Sequence, residues 1–199
     1  MPFKVFRVSS LSELDSLPVA TIKHYPLEKR DYKPYAQCNI CLDGASLFVR
    51  MWAFEVSPPQ GSELRGVFYL FREQPELVFV LSIKPDGSCA FSLEAEGGVF
   101  ERAINPPPGF VLHPHNGEDL QGVYWGGLAA LPLDWLESLG GPLNLEDGSG
   151  EFYGNFYKLC PGPEMAHSGC FSPADYAFDY TGDGMGVFAV TPGTKEVTP

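Results

Sequence analysis

Apolar and polar residues alternate along most of this chain, the period-two signature of half-buried β-strands. Ala36, Cys38, Ile40 and Leu42 alternate with Gln37, Asn39, Cys41 and Asp43. Asp43-Gly44 then reads as a hairpin turn. The next run, Leu47–Val56 (LFVRMWAFEV), is apolar on both faces apart from Arg50 and Glu55. That pattern predicts a central strand covered on both sides in a two-layer stack. Ser57-Pro58-Pro59-Gln60-Gly61 closes it. Further strands are predicted over Val67–Phe71, Leu77–Ile83, Ser88–Leu93, Val99–Ile104, Val123–Leu131, Phe152–Lys158, Tyr176–Tyr180 and Gly186–Val190. Leu133–Leu139 (LDWLESL) has the spacing of a helical turn, and Gly140-Gly141-Pro142 stops it. The expected fold is therefore all-β, an antiparallel β-sandwich of about ten strands with one short helical turn. It is expected to form one domain over residues 1–191, with a frayed tail over 192–199.

Composition supports this reading. The 22 glycines and 19 prolines make up about a fifth of the 199 residues, well above the usual share of roughly 12%. Such a chain turns often and makes short elements. Charge then narrows the partners. There are 13 basic and 25 acidic side chains, a net charge of −12. From residue 103 onward only Lys158 and Lys195 face twelve carboxylates. That half would repel a phosphate backbone or an anionic membrane surface, so neither nucleic acid nor a membrane is an expected partner. No run approaches the roughly 18 apolar residues of a membrane span. The N-terminus carries charges where a signal peptide needs an apolar stretch. As written, the chain is expected to be cytoplasmic, or secreted if a leader has been removed.

Candidate chemistry is sparse. Cys38-Asn39-Ile40-Cys41 is a C-x-x-C, but on a strand positions three apart point to opposite faces. It is read as packing rather than as a redox or zinc site. The other three cysteines, Cys89, Cys160 and Cys170, make an odd total with no framework spacing. His113-Pro114-His115 with Asp119 is a candidate metal pair without a third ligand, and is read as a polar turn. Asp179–Gly184 begins like a calcium loop, but its twelfth position is Val190 instead of Glu. Asn144–Glu151 (NLEDGSGE) is a second acidic loop, so calcium is the one cofactor the sequence leaves open. No nucleophile elbow, phosphate loop or dinucleotide fingerprint is present. The chain is therefore not expected to be an enzyme. Aromatic residues cluster in the second half at Tyr124-Trp125, Tyr153, Phe156-Tyr157 and Phe171. Flat rings stack on the apolar faces of sugars, and a neutral, hydroxyl-rich ligand tolerates an acidic protein.

Three stretches carry a resemblance. Ala45–Glu55 (ASLFVRMWAFE), Val123–Leu136 (VYWGGLAALPLDWL) and Gly154–Pro173 (GNFYKLCPGPEMAHSGCFSP) are similar to motifs of the family 9 carbohydrate-binding modules. The chain most resembles the family 9-like branch of bacterial proteins, over about residues 20–190. The resemblance implies a β-sandwich, often calcium-stabilised, that binds sugars without catalysis. The departures lie in the middle. Leu64–Phe71 (LRGVFYLF) has Phe68 where the family has a carboxylate, and Val80, Ser82 and Lys84 occupy its polar positions. In the third stretch the cysteine is displaced by one to Cys160, and Phe171 replaces a tryptophan.

The expected function is carbohydrate binding, in carbohydrate catabolism, with a mono- or oligosaccharide as partner. Trp125, Tyr157 or Phe171 are expected to stack on the sugar, and Arg50, Asn155 and His167 to hydrogen-bond it. Two other readings stay open. One is a protein-interaction sandwich that has lost the sugar site. The other is a glycoside hydrolase, which would need two carboxylates facing each other across a cleft, roughly 5–9 Å apart.

Overall fold

A computed structural model describes residues 1–26, 28–31, 33–95, 101–162, 166–174 and 184–192. Among these residues fourteen strands form a curled sheet whose two halves stack face to face. The strands are β1 (Phe3–Arg7), β2 (Ala20–Ile22), β3 (Ala36–Leu42), β4 (Ser46–Phe54), β5 (Glu63–Tyr69), β6 (Leu77–Ile83) and β7 (Cys89–Ala95). They continue with β8 (Glu101–Ile104), β9 (His113–Pro114), β10 (Gly117–Asp119), β11 (Gly122–Pro132), β12 (Glu151–Cys160), β13 (His167–Cys170) and β14 (Gly186–Val190). One layer runs β10-β11-β4-β3, with β2 beside β3 and β9 beside β11. The other runs β14-β12-β5-β6-β7-β8, with β13 beside β12.

Strand β1 joins the layers. Its first half pairs with β14 (Val5 opposite Val190), and its second half pairs with β3 (Phe6 opposite Cys41). Both pairings are parallel, so the sheet is mixed and not purely antiparallel as expected. The reason is topological. An N-terminal strand that hands over from one layer to the other pairs with strands far along the chain, and no hairpin dictates its direction. The sequence reading also missed β1, whose five residues FKVFR were assigned to no element, and β2, β9, β10 and β13, each four residues or shorter and too brief to show a period. The strand expected at Tyr176–Tyr180 and the tail from 193 onward lie outside the described residues.

Alternation decides which side chains meet. Leu47, Val49, Met51 and Ala53 of β4 point inward with Phe68 of β5, Phe79 and Leu81 of β6, and Phe152 and Phe156 of β12. Phe68 is fully buried at the centre of a ring cluster. Its ring lies 5.5 Å from Phe156, 6.2 Å from Phe152 and 6.4 Å from Phe188. The carboxylate that the family resemblance places here would be uncompensated, so the aromatic replacement is a core adaptation.

Helix α1 (Leu133–Gly140) follows β11 and closes one end of the core. Its Trp135 ring packs edge-on against Phe79 at 6.0 Å and against Phe91 at 5.6 Å. A second helical piece, a 3-10 turn over Leu11–Ser16, was not expected. Ser10 accepts from Ser12 N, while Glu13 reaches back to the Ser10 amide at 3.0 Å. The S-x-x-E signal for that capping box stands in the sequence at Ser10–Glu13.

Phe68→Ala should cost about 3–5 kcal/mol of stability, the usual range for emptying a buried aromatic site. Urea denaturation of the two chains measures it, and a loss under about 1 kcal/mol would contradict this core assignment.

Candidate functional site

The six residues singled out in the sequence do not converge on one surface. Arg50 lies on the outer face of the β10-β11-β4-β3 layer. Its guanidinium donates to Asn39 Oδ1 at 2.7 and 3.1 Å and to Asp15 Oδ1 at 2.7 Å, and it sits 5.1 Å from the Trp52 ring. Trp125 points inward into the core and is 6% exposed. Asn155 is fully buried and uses all of its capacity. It donates to the Ser172 and Gly184 carbonyls at 2.9 and 2.8 Å, and accepts from the Phe156 and Ser172 amides at 2.8 and 2.9 Å. Tyr157 is buried on the outer face of β12, in an apolar cluster with Val67, Val80 and Met185. Phe171 is half-buried against Phe3, at 5.5 Å, and Phe188, at 6.1 Å. Each of these contacts knits loops or layers together.

His167 and Trp125 belong to one buried polar network between the layers. Alternation turns Lys158 of β12 and Glu55, just past β4, toward each other across the core. Lys158 Nζ lies 3.1 Å from Glu55 Oε2, and the Trp125 indole N–H donates to the same oxygen at 3.0 Å. The ammonium also contacts His167 Nε2 at 2.9 Å and donates to Ser62 Oγ at 3.3 Å. It stands 5.6 Å from the Trp125 ring centre. Burial lowers the Lys158 pKa, and the Glu55 charge opposes that shift. Neither charge has water to fall back on, so each needs the other.

The outer face of the second layer holds a different arrangement. Register aligns Tyr157, Arg65, Ser82 and Ala90 in one row across β12, β5, β6 and β7. Asn155, Val67, Val80, Ser92 and Ala103 form the next row, ending on β8. Beyond it, Glu94 stands directly opposite Glu101. Small residues at Ala90, Ser92 and Ala103 leave a groove of about 420 Å³. Arg65, Ser82, Glu94 and Glu101 give it polar walls around Val80. Glu63 Oε1 accepts from Arg65 Nε at 2.6 Å and from Ser82 Oγ at 2.7 Å, which holds that wall in place. Ser92 Oγ donates to Glu94 Oε1 at 2.9 Å. On the same face Tyr153 of β12 pairs with Tyr69 of β5, and Tyr153 is 51% exposed. Sequence reasoning did not select this set. Its signal was partly present, because Val80, Ser82, Ala90, Ser92, Glu101 and Ala103 occupy alternate positions on three predicted strands while Arg65 and Glu94 fall just outside predicted bounds, but only register shows that the strands are neighbours.

The remaining motifs are structural. Cys38 is buried in the main core and Cys41 lies under the 3-10 turn on the opposite face. Burial raises both thiols, Cys41 to about 12, which suppresses the reactive thiolate. His115 packs against Trp52 at 5.3 Å and Tyr124 at 5.1 Å. In the 144–151 loop two acidic side chains have cationic partners. Glu146 is ion-paired with Arg72, and Asp147 with Arg7 at 3.4 Å. Among the described residues no three His, Cys, Asp or Glu side chains gather into a metal site. Residues 179–183 of the other acidic loop lie outside the described set. Among the described residues no helix is long and apolar enough to cross a membrane.

Lys158→Met should cost about 3–5 kcal/mol, because it strands the Glu55 carboxylate in the core. Adding Glu55→Gln should restore most of that loss in denaturant melts. The Lys158 shift also gives a pH test. Its folded pKa is below the ordinary 10.5, so the unfolded chain holds more protons in the alkaline window beneath that value. The stability difference between wild type and Lys158→Met should therefore grow in favour of wild type as pH rises toward 10.5. A flat difference would mean that the ammonium is solvated.

Comparison with known proteins places this geometry. No protein-family model matches the chain, and no curated protein sequence does. Solved structures do match. A candidate carbohydrate-binding protein from Bacteroides uniformis superposes with a TM-score of 0.72 at 13% identity, over 94% of this chain and 97% of that one. A family 9 carbohydrate-binding module from Caldicellulosiruptor kristjanssonii, in complex with glucose, superposes with a TM-score of 0.55 at 10% identity over the whole of both chains. A family 9 module from the same organism in complex with cellotriose gives 0.52 at 10% identity, over 100% of this chain and 97% of that one. The chain thus has the fold of the family 9 carbohydrate-binding modules.

Proposed function

We propose that this chain is a non-catalytic carbohydrate-binding domain whose sugar lies in the groove on the outer face of β5–β8. The observation that carries the reading is the groove itself, a depression with an apolar floor and polar walls on a protein with the family 9 fold. Its volume of about 420 Å³ lies within the usual range for small-ligand sites, roughly 300–1,000 Å³. Val80, Ala90 and Ala103 suit the apolar face of a pyranose, while Arg65, Ser82 and Ser92 can bond its hydroxyls. Tyr69 and Tyr153, on the same face but outside the groove lining, are the rings proposed to stack on a ligand that extends beyond it, in the role the sequence gave to Trp125, Tyr157 or Phe171. The solved modules with glucose and cellotriose support the ligand class.

The placement of the carboxylates supports binding rather than hydrolysis. Glu94 and Glu101 are cross-strand neighbours on the same wall. A glycosidase pair must instead flank the scissile bond from opposite sides. The protein-interaction reading has its own support. Tyr35, Phe54 and Tyr124 form a chain of rings, 5.6 Å apart at each step, on the outer face of the other layer, and Tyr35 is exposed.

Ala103→Trp fills the groove from an exposed edge-strand position. Calorimetric titration with glucose and cello-oligosaccharides should show saturable binding to the wild type. The variant should bind at least about tenfold more weakly while melting at the same temperature, since it loses ligand contact and not core packing. Equal affinity of the two chains, or no binding by the wild type, would overturn the groove assignment and favour the aromatic face and a protein partner.

A further inference from the structure

The groove's charge is unbalanced, and this bears on which sugars it accepts. Arg65 is the cation in its lining, and Glu63 neutralises it at 2.6 Å. Glu94 and Glu101 then set the local field. They stand directly opposite each other on β7 and β8, an arrangement that costs stability in a sheet. Among the described residues neither is ion-paired with a lysine or arginine. Arg102 cannot serve from its own position, because alternation turns it to the other face, opposite Leu93. Glu94 is also oriented: Ser92 Oγ donates to its Oε1, which holds the carboxylate against the wall. The edge strand β8 could carry a lysine at position 101 at no cost to the fold, since that position is exposed.

We propose that the groove selects sugars bearing a protonated amine, that is hexosamine units without an N-acetyl group, over neutral sugars, and rejects uronic acid units. The proposal rests on the groove being the sugar site. The ligand's ammonium sits between Glu94 and Glu101, relieves their mutual repulsion and forms charge-assisted hydrogen bonds. Such bonds are roughly twice as strong as those of a hydroxyl. The pyranose face remains on Val80, Ala90 and Ala103. An acetylated amine has lost its charge, and a uronate adds a third negative charge to the site.

The test is a matched series titrated into the full-length chain at pH 6, where amines are protonated and carboxylates ionised. The probes are a glucosamine dimer, its di-N-acetyl form, cellobiose and a galacturonic acid dimer. The glucosamine dimer should bind about tenfold more tightly than cellobiose, the galacturonic acid dimer should not bind detectably, and the preference should shrink as salt rises. In the Glu94→Gln/Glu101→Gln double variant the ratio of glucosamine to cellobiose affinity should fall toward one. Both positions lie outside the main core, so a melting curve checks that the variant is folded. Equal or tighter binding of cellobiose to the wild type would overturn the charge selectivity and leave the groove assignment standing. So would a ratio unchanged in the double variant. Binding of any probe that survives Ala103→Trp would remove the groove assignment, and this inference with it.

Discussion

The interior of this sandwich is organised around one ion pair. Glu55 leaves the end of β4 in one layer, Lys158 sits inside β12 in the other, and their charges meet at 3.1 Å with essentially no solvent. A pair of this kind adds little net stability over an apolar substitute of the same shape, because both ions have given up hydration. Its physical role is to make misalignment expensive. The two layers must bring the carboxylate, the ammonium, the Trp125 indole and the His167 ring to the same point. A one-residue slip of either strand would turn one charge outward and leave the other buried alone. Register in β4 and β12 is therefore specified from inside the core, and every row of side chains on the outer faces inherits it.

That inheritance is what builds the groove. Its lining comes from four adjacent strands, mostly from alternate residues, with Phe91 between Ala90 and Ser92 as the exception. Arg65 and Ser82 share a row because Lys158 on the opposite face of the same sheet is held in place. The small side chains at Ala90, Ser92 and Ala103 make a hollow only because they are neighbours across β7 and β8. The same logic separates the two outer faces. On the first layer Trp52 lies against His115 and Arg50, and the polar groups there are consumed by one another. On the second layer the walls hold carboxylates that the sheet leaves without a cationic partner among the described residues.

Much of this was legible in the residues. The period-two pattern predicted the principal strands, and β4 was recognised as central because its two faces are both apolar. The C-x-x-C was read as two cysteines on opposite faces, and Cys38 and Cys41 stand there. The family resemblance led to the fold that the solved structures share. Short pairings such as β2 and β13 were not legible, since three or four residues carry no period. The parallel placement of β1 was not either, because its partners lie far away along the chain.

The site shows the boundary most clearly. Sequence determined the inventory: an acidic chain, alternating strands, rings and polar groups suited to a hydroxyl-rich ligand, and a fold class. It could not determine which side of a strand faces water when both sides are apolar. Trp125 and Tyr157 therefore looked like stacking surfaces and are buried, while His167 and Arg50 looked like ligand contacts and are held by protein partners. Pairing and register decided the rest. They are set by contacts between residues distant in the chain, and those contacts exist only once the two layers have closed over Glu55 and Lys158.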